Sequence, residues 1–232
     1  MMPFSAIAQL DPNEVKNGWR LLGASAALTL VLLLPAGWVQ AQDFVEGTHY
    51  ERLPISVETS DPERVEVVEM FSYMCVHCFN FDPAVEAWQA RQEDDVNFLR
   101  MPAVFNPDWE LLAQAFYTAE TLGVTAQVHT ALFEGLHLSR QDLRQPALLQ
   151  RLFKDYAQVS EEDFNTAYNS FSVRSRVQQA KAKGRAYRIT GVPTLIVNGK
   201  YRVDGRMAGS NAAMLEVVDH LVALEAQDQD DG

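Results

Sequence analysis

The chain reads VEVVEMFSYMCVHC over residues 65–78, and this stretch decides the fold. Its first seven residues are rich in β-formers and predict a buried strand. Cys75 and Cys78, the only two cysteines of the chain, follow that strand at the predicted start of a helix. A helix start offers unpaired amide hydrogens and the positive end of a dipole, so one thiol there can ionise near neutral pH. The stretch therefore predicts a strand, a thiol pair suited to disulfide exchange, and a helix.

The segments that follow extend this start into an α/β sheet. The predicted helix runs to about Gln92, and a second strand follows from Val96 to Met101. Two parallel strands joined by a helix are typical of α/β proteins. From Asp108 to about Tyr187 the apolar residues recur at helical spacing, which predicts several consecutive helices.

The strand pattern returns near the C-terminus. Residues 194–197 and 200–203 flank Asn198-Gly199, a pair that favours a tight hairpin turn. A last helix is predicted from about Asn211 to Glu225. The order β-α-β, then helices, then β-β-α predicts an α/β thioredoxin fold with an inserted all-helical domain.

The chain therefore divides into five predicted parts. A leader covers 1–41, and the first part of the thioredoxin fold, with the cysteines, covers 42–107. The inserted helical domain covers 108–187, and the second part of the thioredoxin fold covers 188–226. The polar segment 227–232 is expected to be a disordered tail.

The leader has the features of a secretory signal peptide. Lys16 and Arg20 precede an uncharged apolar run over 21–34, and Ala41 suits the last position before a cleavage site. Cleavage there leaves Gln42 as the first mature residue. An uncleaved membrane anchor is the alternative, because the run is close to the length of a short membrane span. Both interpretations place the folded part in an oxidising compartment, where a lone cysteine pair can cycle without scrambling.

Composition argues against several classes of function. The formal net charge is −12 and no long basic block occurs, which argues against a nucleic-acid partner. Two other roles for the cysteines are a static short-loop disulfide and half of a zinc site with His77. A four-residue loop gains little from a disulfide, and no further cysteine supplies the missing zinc ligands. We therefore expect redox chemistry, with no metal and no bound cofactor, because the electrons reside on the two sulfurs.

The motifs resemble those of a known family. Residues 71–78, together with 191–194 (GVPT) and 197–201 (VNGKY), resemble the DsbA family of periplasmic thiol–disulfide oxidoreductases. The resemblance extends over nearly all of residues 44–225. It implies a thioredoxin fold interrupted by a helical domain, in agreement with the order of predicted elements.

The resemblance also implies roles for individual residues. Cys75 is implied to be the exposed nucleophile of low pKa that forms the mixed disulfide, and Cys78 the buried resolving thiol. His77 is implied to lie beside the thiolate and stabilise it. Pro193 is implied to be a cis-proline packed against the disulfide, and Glu69 a buried acid with a raised pKa that helps to move protons at Cys78.

Three further residues are implied to meet the substrate, and two positions depart from the family. The backbone of Val192 is implied to pair with an extended peptide, beside Val76 and Thr194. Well-known members carry proline where this chain has Val76, so its redox potential and partner recognition are expected to differ modestly. Arg100 stands where the family has a lysine near the buried acid, so a permanent charge replaces one that can titrate.

The remaining histidines are interpreted as surface or core residues. These are His49, His129, His137 and His220.

The resemblance implies a monomeric oxidase of a Gram-negative periplasm, which passes its disulfide to unfolded exported proteins. A membrane partner of the DsbB type, linked to quinone, would reoxidise it. One alternative is a disulfide isomerase or reductase, although the short span between Gln42 and Val65 leaves no room for the usual dimerisation domain. Another is a peptide-binding holdase whose disulfide is structural.

Overall fold

The computed structural model describes residues 44–230, so the predicted leader lies outside the described residues. Five strands form one sheet: β1 (Glu51–Arg52), β2 (Val65–Phe71), β3 (Val96–Pro102), β4 (Thr194–Val197) and β5 (Tyr201–Asp204). The helices are α1 (Val76–Gln89), α2 (Pro107–Leu122), α3 (Thr125–His137), α4 (Pro146–Ala157), α5 (Glu161–Tyr168), α6 (Phe171–Ala186), α7 (Gly205–Ala208) and α8 (Asn211–Asp230). Within residues 44–230, none of these helices combines the length and apolar character needed to cross a membrane.

The sheet has the strand order β1-β5-β4-β2-β3 and places β2 inside it. β2 pairs in parallel with β3 and antiparallel with β4. All seven residues of β2 are buried, which explains its continuous run of β-forming residues. α1 connects β2 to β3, so the predicted β-α-β unit is confirmed. In this register Glu69 of β2 lies beside Arg100 of β3.

The predicted hairpin joins β4 to β5 through Asn198 and Gly199. Both residues have positive φ, 48° and 61°, as the favoured two-residue hairpin turn requires. A Cβ on Gly199 would lie 1.9 Å from the carbonyl oxygen of Val57, whose amide donates to the Gly199 carbonyl. Glycine is thus required here by close packing as well as by backbone conformation.

Helices α2 to α6 lie between β3 and β4 in the chain, as the sequence predicts. Their apolar faces share one core with the segment that carries the cysteines. This core includes Phe71, Tyr73 and Cys78 together with Phe116 of α2 and Phe133 of α3. The helical insertion therefore packs directly against the end of β2 and the start of α1.

The last helix is longer than the sequence suggests. α8 continues to Asp230, whereas a disordered tail was expected from Gln227. Ala226 still packs against the core on its side of the sheet, so the apolar face of the helix persists beyond Glu225. The buried Glu225 carboxylate also accepts hydrogen bonds from Asn198 and Lys200, which fastens α8 to the hairpin.

Candidate active site

The two cysteines occupy the N-terminus of α1 in unequal environments. Cys75 is the N-cap residue, and its sulfur accepts a hydrogen bond from the backbone amide of Cys78 at 3.4 Å. Cys75 is half-buried, whereas Cys78 is fully buried, and both are free thiols in this structure. Only the first sulfur is thus placed to meet another protein.

The same geometry separates the acidities of the two thiols. The pKa of Cys75 is lowered to about 6, chiefly by a hydrogen bond from the Cys78 thiol. Burial opposes this shift, while the backbone amides of Cys78 and His77 and the charge of the His77 imidazole favour it. Burial raises the pKa of Cys78, and the hydrogen bond to Cys75 adds to that shift. Near neutral pH, Cys75 is therefore a thiolate and Cys78 a thiol.

The segment before β4 closes the other side of the site. The Val192–Pro193 peptide bond is cis. The Cys75 sulfur lies 3.5 Å from the carbonyl oxygen of Val192, to which a protonated thiol can donate. Thr194 is buried, and its hydroxyl donates to the carbonyl of Gly191 at 2.9 Å, so this side chain shapes the turn before Pro193.

A groove runs beside this cis peptide bond. Its volume is about 380 Å³, and residues 190–194 line it together with His77 and Arg206. His77 is exposed there, so its imidazole faces the groove while its amide faces the Cys75 sulfur. Val76 is also exposed, with about half of its surface accessible (49%). Of the predicted site residues, the structure thus brings Cys75, His77 and the 191–194 segment together around one opening.

Glu69 lies on the buried side of the site. It is 2% exposed, and Arg100 donates to it from Nε to Oε2 at 3.0 Å. Burial raises the pKa of Glu69 to about 7, against the lowering effect of Arg100, and the charges of Asp82 and Glu86 add to the rise. The charge of Glu69 in turn raises the pKa of Cys78, so the acid and the buried thiol are electrostatically coupled.

Three side chains that the sequence did not point to join Glu69 and Arg100: Asp82, Glu86 and His129. Arg100 also donates to Asp82 of α1 at 3.1 Å and forms an ion pair with Glu86 at 2.7 Å. Asp82 contacts His129 of α3, with 3.0 Å between Oδ1 and Nε2. His129 is 4% exposed, and its spacing of four residues from the buried Phe133 was the signal that it faces inward.

Asp82, Glu86 and His129 also have the ligand types and spacing of a metal site. Their ligand atoms lie within 4.8 Å of one another. Arg100 pairs with both carboxylates, so a guanidinium supplies the positive charge between them. We therefore assign these residues to the polar network around Glu69.

Comparison with known proteins identifies the family. The family model of the DSBA-like thioredoxin domain matches residues 98–215. The chain is 37% identical over 211 residues to the thiol:disulfide interchange protein DsbA of Azotobacter vinelandii, covering 90% of this chain and 98% of that protein. It is 39% identical over 186 residues to DsbA of Pseudomonas aeruginosa, covering 80% of this chain and 88% of that protein.

Solved structures agree with this assignment. The crystal structure of Pseudomonas aeruginosa DsbA matches with a TM-score of 0.78 and 37% identity, covering 82% of this chain and 98% of that one. DsbA of Xylella fastidiosa matches with a TM-score of 0.74 and 35% identity, covering 79% and 98%. The expected thioredoxin fold with a helical insertion is thereby confirmed, and the unequal thiols at the start of α1 agree with the chemistry of the family. The chain belongs to the DsbA family and is a thiol:disulfide oxidoreductase.

Proposed function

We propose that the chain works in the oxidising direction and donates the Cys75–Cys78 disulfide to reduced exported proteins. A substrate thiolate attacks the Cys75 sulfur, forms a mixed disulfide and breaks the Cys75–Cys78 bond. Cys78 leaves as a thiolate and takes up a proton. A second substrate thiolate then attacks the substrate sulfur of the mixed disulfide and expels Cys75 as a thiolate. The substrate loses two electrons and the enzyme gains them.

The unequal acidity of the two thiols carries this proposal. A thiol with a pKa of about 6 is a good leaving group at neutral pH, which favours release of the oxidised substrate from Cys75. Its ionisation also stabilises the reduced enzyme, and a stabilised reduced form makes the disulfide a stronger oxidant. At pH 7 a Cys75 pKa of about 6 stabilises the reduced enzyme by about 1.4 kcal/mol, which raises the reduction potential by about 30 mV. Both values are upper limits, because solvent screens a half-buried sulfur.

The surroundings of Cys75 support the roles that the resemblance implies. The Val192 carbonyl lies 3.5 Å from the Cys75 sulfur, which supports pairing of the Val192 backbone with an extended substrate beside the attacked sulfur. The exposed Val76 and the groove beside Pro193 offer contact to substrate side chains. Glu69, with a pKa of about 7, is suited to give a proton to the Cys78 thiolate as it forms and to accept it on reoxidation.

The partners and the compartment follow from membership of the family. We infer a periplasmic location, reduced exported proteins as substrates, and a quinone-linked membrane oxidase of the DsbB type as the electron acceptor. A monomer suits this role, because the Cys75 face must stay open to both partners.

The test is the reduction potential of the purified protein against glutathione, together with the pKa of Cys75 from the ultraviolet absorbance of its thiolate. We expect a potential well above that of thioredoxin, about −270 mV, and a Cys75 pKa far below about 8.5. A potential below about −300 mV with an ordinary thiol pKa would mark a structural disulfide and contradict the proposal.

Two cysteine variants separate the remaining functions. Cys75→Ser should abolish disulfide transfer to a reduced protein, whereas a holdase would continue to suppress aggregation. Cys78→Ser cannot form the Cys75–Cys78 disulfide and should also fail to oxidise a reduced protein, whereas its Cys75 thiolate should form a lasting mixed disulfide with a protein that already contains a disulfide, because no Cys78 thiol attacks Cys75 to release it. An isomerase would act mainly on scrambled substrate, whereas an oxidase converts fully reduced substrate with one disulfide consumed for each one made.

A further inference from the structure

A chain of buried polar groups runs from the helical insertion to the acid beside Cys78. The Tyr73 hydroxyl lies 2.8 Å from Nδ1 of His129, whose Nε2 lies 3.0 Å from Oδ1 of Asp82. Arg100 donates to the same Asp82 oxygen at 3.1 Å and to Glu69 at 3.0 Å. These groups come from the segment after β2, from α3, α1 and β3, and from β2 itself, so only the folded chain assembles them.

The partners of His129 fix which of its nitrogens carries a proton. The Asp82 carboxylate can only accept, so Nε2 carries the hydrogen that it receives. In the neutral ring Nδ1 is then an acceptor, and the Tyr73 hydroxyl donates to it. Asp82 Oδ1 thus receives two hydrogen bonds, one from the Arg100 guanidinium and one from the His129 ring.

We propose that His129 is a positioning residue of the redox centre, which holds the Asp82 carboxylate and so sets the share of Arg100 that remains for Glu69. His129 and Arg100 donate to the same Asp82 oxygen, so each limits how far Asp82 draws on the other. The Asp82 carboxylate competes with Glu69 for the Arg100 guanidinium and repels the Glu69 charge. His129 therefore acts on Glu69 through two intervening side chains and touches neither cysteine in this role.

The direction of the effect follows from the charges. The charge of Asp82 is one of the causes that raise the pKa of Glu69. Without His129, Asp82 Oδ1 loses one of its two donors, and the Arg100 guanidinium turns further towards Asp82. Glu69 then loses part of the contact that stabilises its charge. Glu69 is therefore expected to ionise at higher pH when His129 is removed.

Other charged groups face this network, and the experiment must keep them in place. Glu86 of α1 pairs with the same arginine, and its carboxylate lies within the group formed with Asp82 and His129. Glu120 of α2 acts on Tyr73 through its charge. None of the substitutions below changes Glu86 or Glu120.

α3 also contacts the cysteine segment through His137, and the experiment must distinguish this contact from the effect of His129 on Asp82. His137 donates from Nε2 to the Tyr73 carbonyl at 2.8 Å, and its ring stacks on Phe79 with centroids 5.1 Å apart. The hydroxyl of Tyr73 is likewise held by His129. A purely structural role of His129 would be to clamp Tyr73, and such a role would not depend on Asp82.

The experiment follows the side-chain carboxyl signal of Glu69 by ¹³C NMR in the reduced full-length protein between pH 4 and 9, with Glu69→Gln for assignment. His129→Leu should raise the Glu69 midpoint by about 1 pH unit. His129→Gln should restore it, because an amide carries both the donor and the acceptor that the ring provides. His220→Leu, on α8 among the rings of Phe44 and Tyr50, is the matched control and should leave it unchanged.

Three results would overturn the proposal. The first is a folded His129→Leu protein whose Glu69 midpoint equals that of the wild type. The second is an equal shift in Tyr73→Phe, since that variant removes the hydroxyl but keeps the contact between His129 and Asp82. The third is a full extra shift when His129→Leu is added to Asp82→Asn, since an effect that passes through Asp82 must vanish there.

If the leucine variant does not fold, His129→Asn replaces it in all three comparisons. Asparagine is polar but too short to bridge Tyr73 and Asp82, so the same upward shift is expected. This inference deepens the proposed function and rests on it only for the role of Cys78. The carboxyl titration does not depend on the direction of electron flow, so its failure leaves the oxidase proposal standing. A low reduction potential would contradict the oxidase proposal without changing this titration.

Discussion

Replacing Glu69 by glutamine should change how the stability of the protein depends on pH. The pKa of Glu69 is about 7 in the folded chain, compared with 4.5 for a free glutamate, mainly because the carboxyl is buried. Between those values the folded chain keeps a proton that the unfolded chain has lost. The free energy of unfolding therefore falls as pH rises through this window. At about 1.4 kcal/mol per pH unit, the whole loss amounts to about 3.4 kcal/mol.

Glu69→Gln has no proton to lose at this position, so its stability should lack that decline. The unfolding free energy of the variant minus that of the wild type should grow by about 2.5 kcal/mol between pH 5 and pH 8. Urea unfolding of both proteins under reducing conditions measures this difference, and the titration of the shared cysteines cancels. Glu216→Gln on α8 is the control, because this side chain is exposed and is not among the charges that act on Glu69. A difference that stays constant with pH, or shrinks as pH rises, would refute the assignment of Glu69 as a buried, mostly protonated acid.

Three other predictions concern the thiol and the hairpin. The reduction potential should fall by about 60 mV per pH unit below the Cys75 pKa of about 6 and by about 30 mV per pH unit above it, because the reduced form binds one proton fewer above that pKa. Equilibration with glutathione from pH 4 to 8 measures these slopes. A single straight line over this range would show that Cys75 does not ionise there. Gly199→Ala should destabilise the protein by about 2 kcal/mol or more in urea unfolding, because its Cβ would overlap the Val57 carbonyl; a variant as stable as the wild type would contradict the close approach. Glu225→Gln should cost about 1–3 kcal/mol in thermal unfolding, since it breaks a largely buried ion pair with Lys200, and no change in stability would show that this pair does not fasten α8.

Local sequence was sufficient wherever the cause was local. The hairpin at Asn198 and Gly199 was predicted because two residues with positive φ are needed there, whatever surrounds them. The position of Cys75 at a helix start was predicted in the same way, since the strand before it and the apolar spacing after it fix where α1 begins. The end of α8 could not be predicted as well, because packing of Ala226 against the core prolongs a helix that composition alone would end.

The buried side of the site shows more clearly which contacts cannot be predicted from sequence. Sequence likeness pointed to Glu69 and Arg100, and the parallel register of β2 and β3 makes them neighbours. His129 was interpreted only as a surface or core residue. An inward-facing histidine has no partner that can be named from sequence, because its contact with Asp82 depends on how α3 packs against α1.

The sequence by itself determined the order of strands and helices, the position of the thiol pair and the turn of the hairpin, because each depends on neighbours within a few residues. The tertiary structure decided the rest of the chemistry. Packing brings the Val192 carbonyl to the Cys75 sulfur across 117 positions of sequence and His129 to Asp82 across 47. It also removes Glu69 and Cys78 from water, and this burial, which no local pattern specifies, is the main cause of the raised pKa of each.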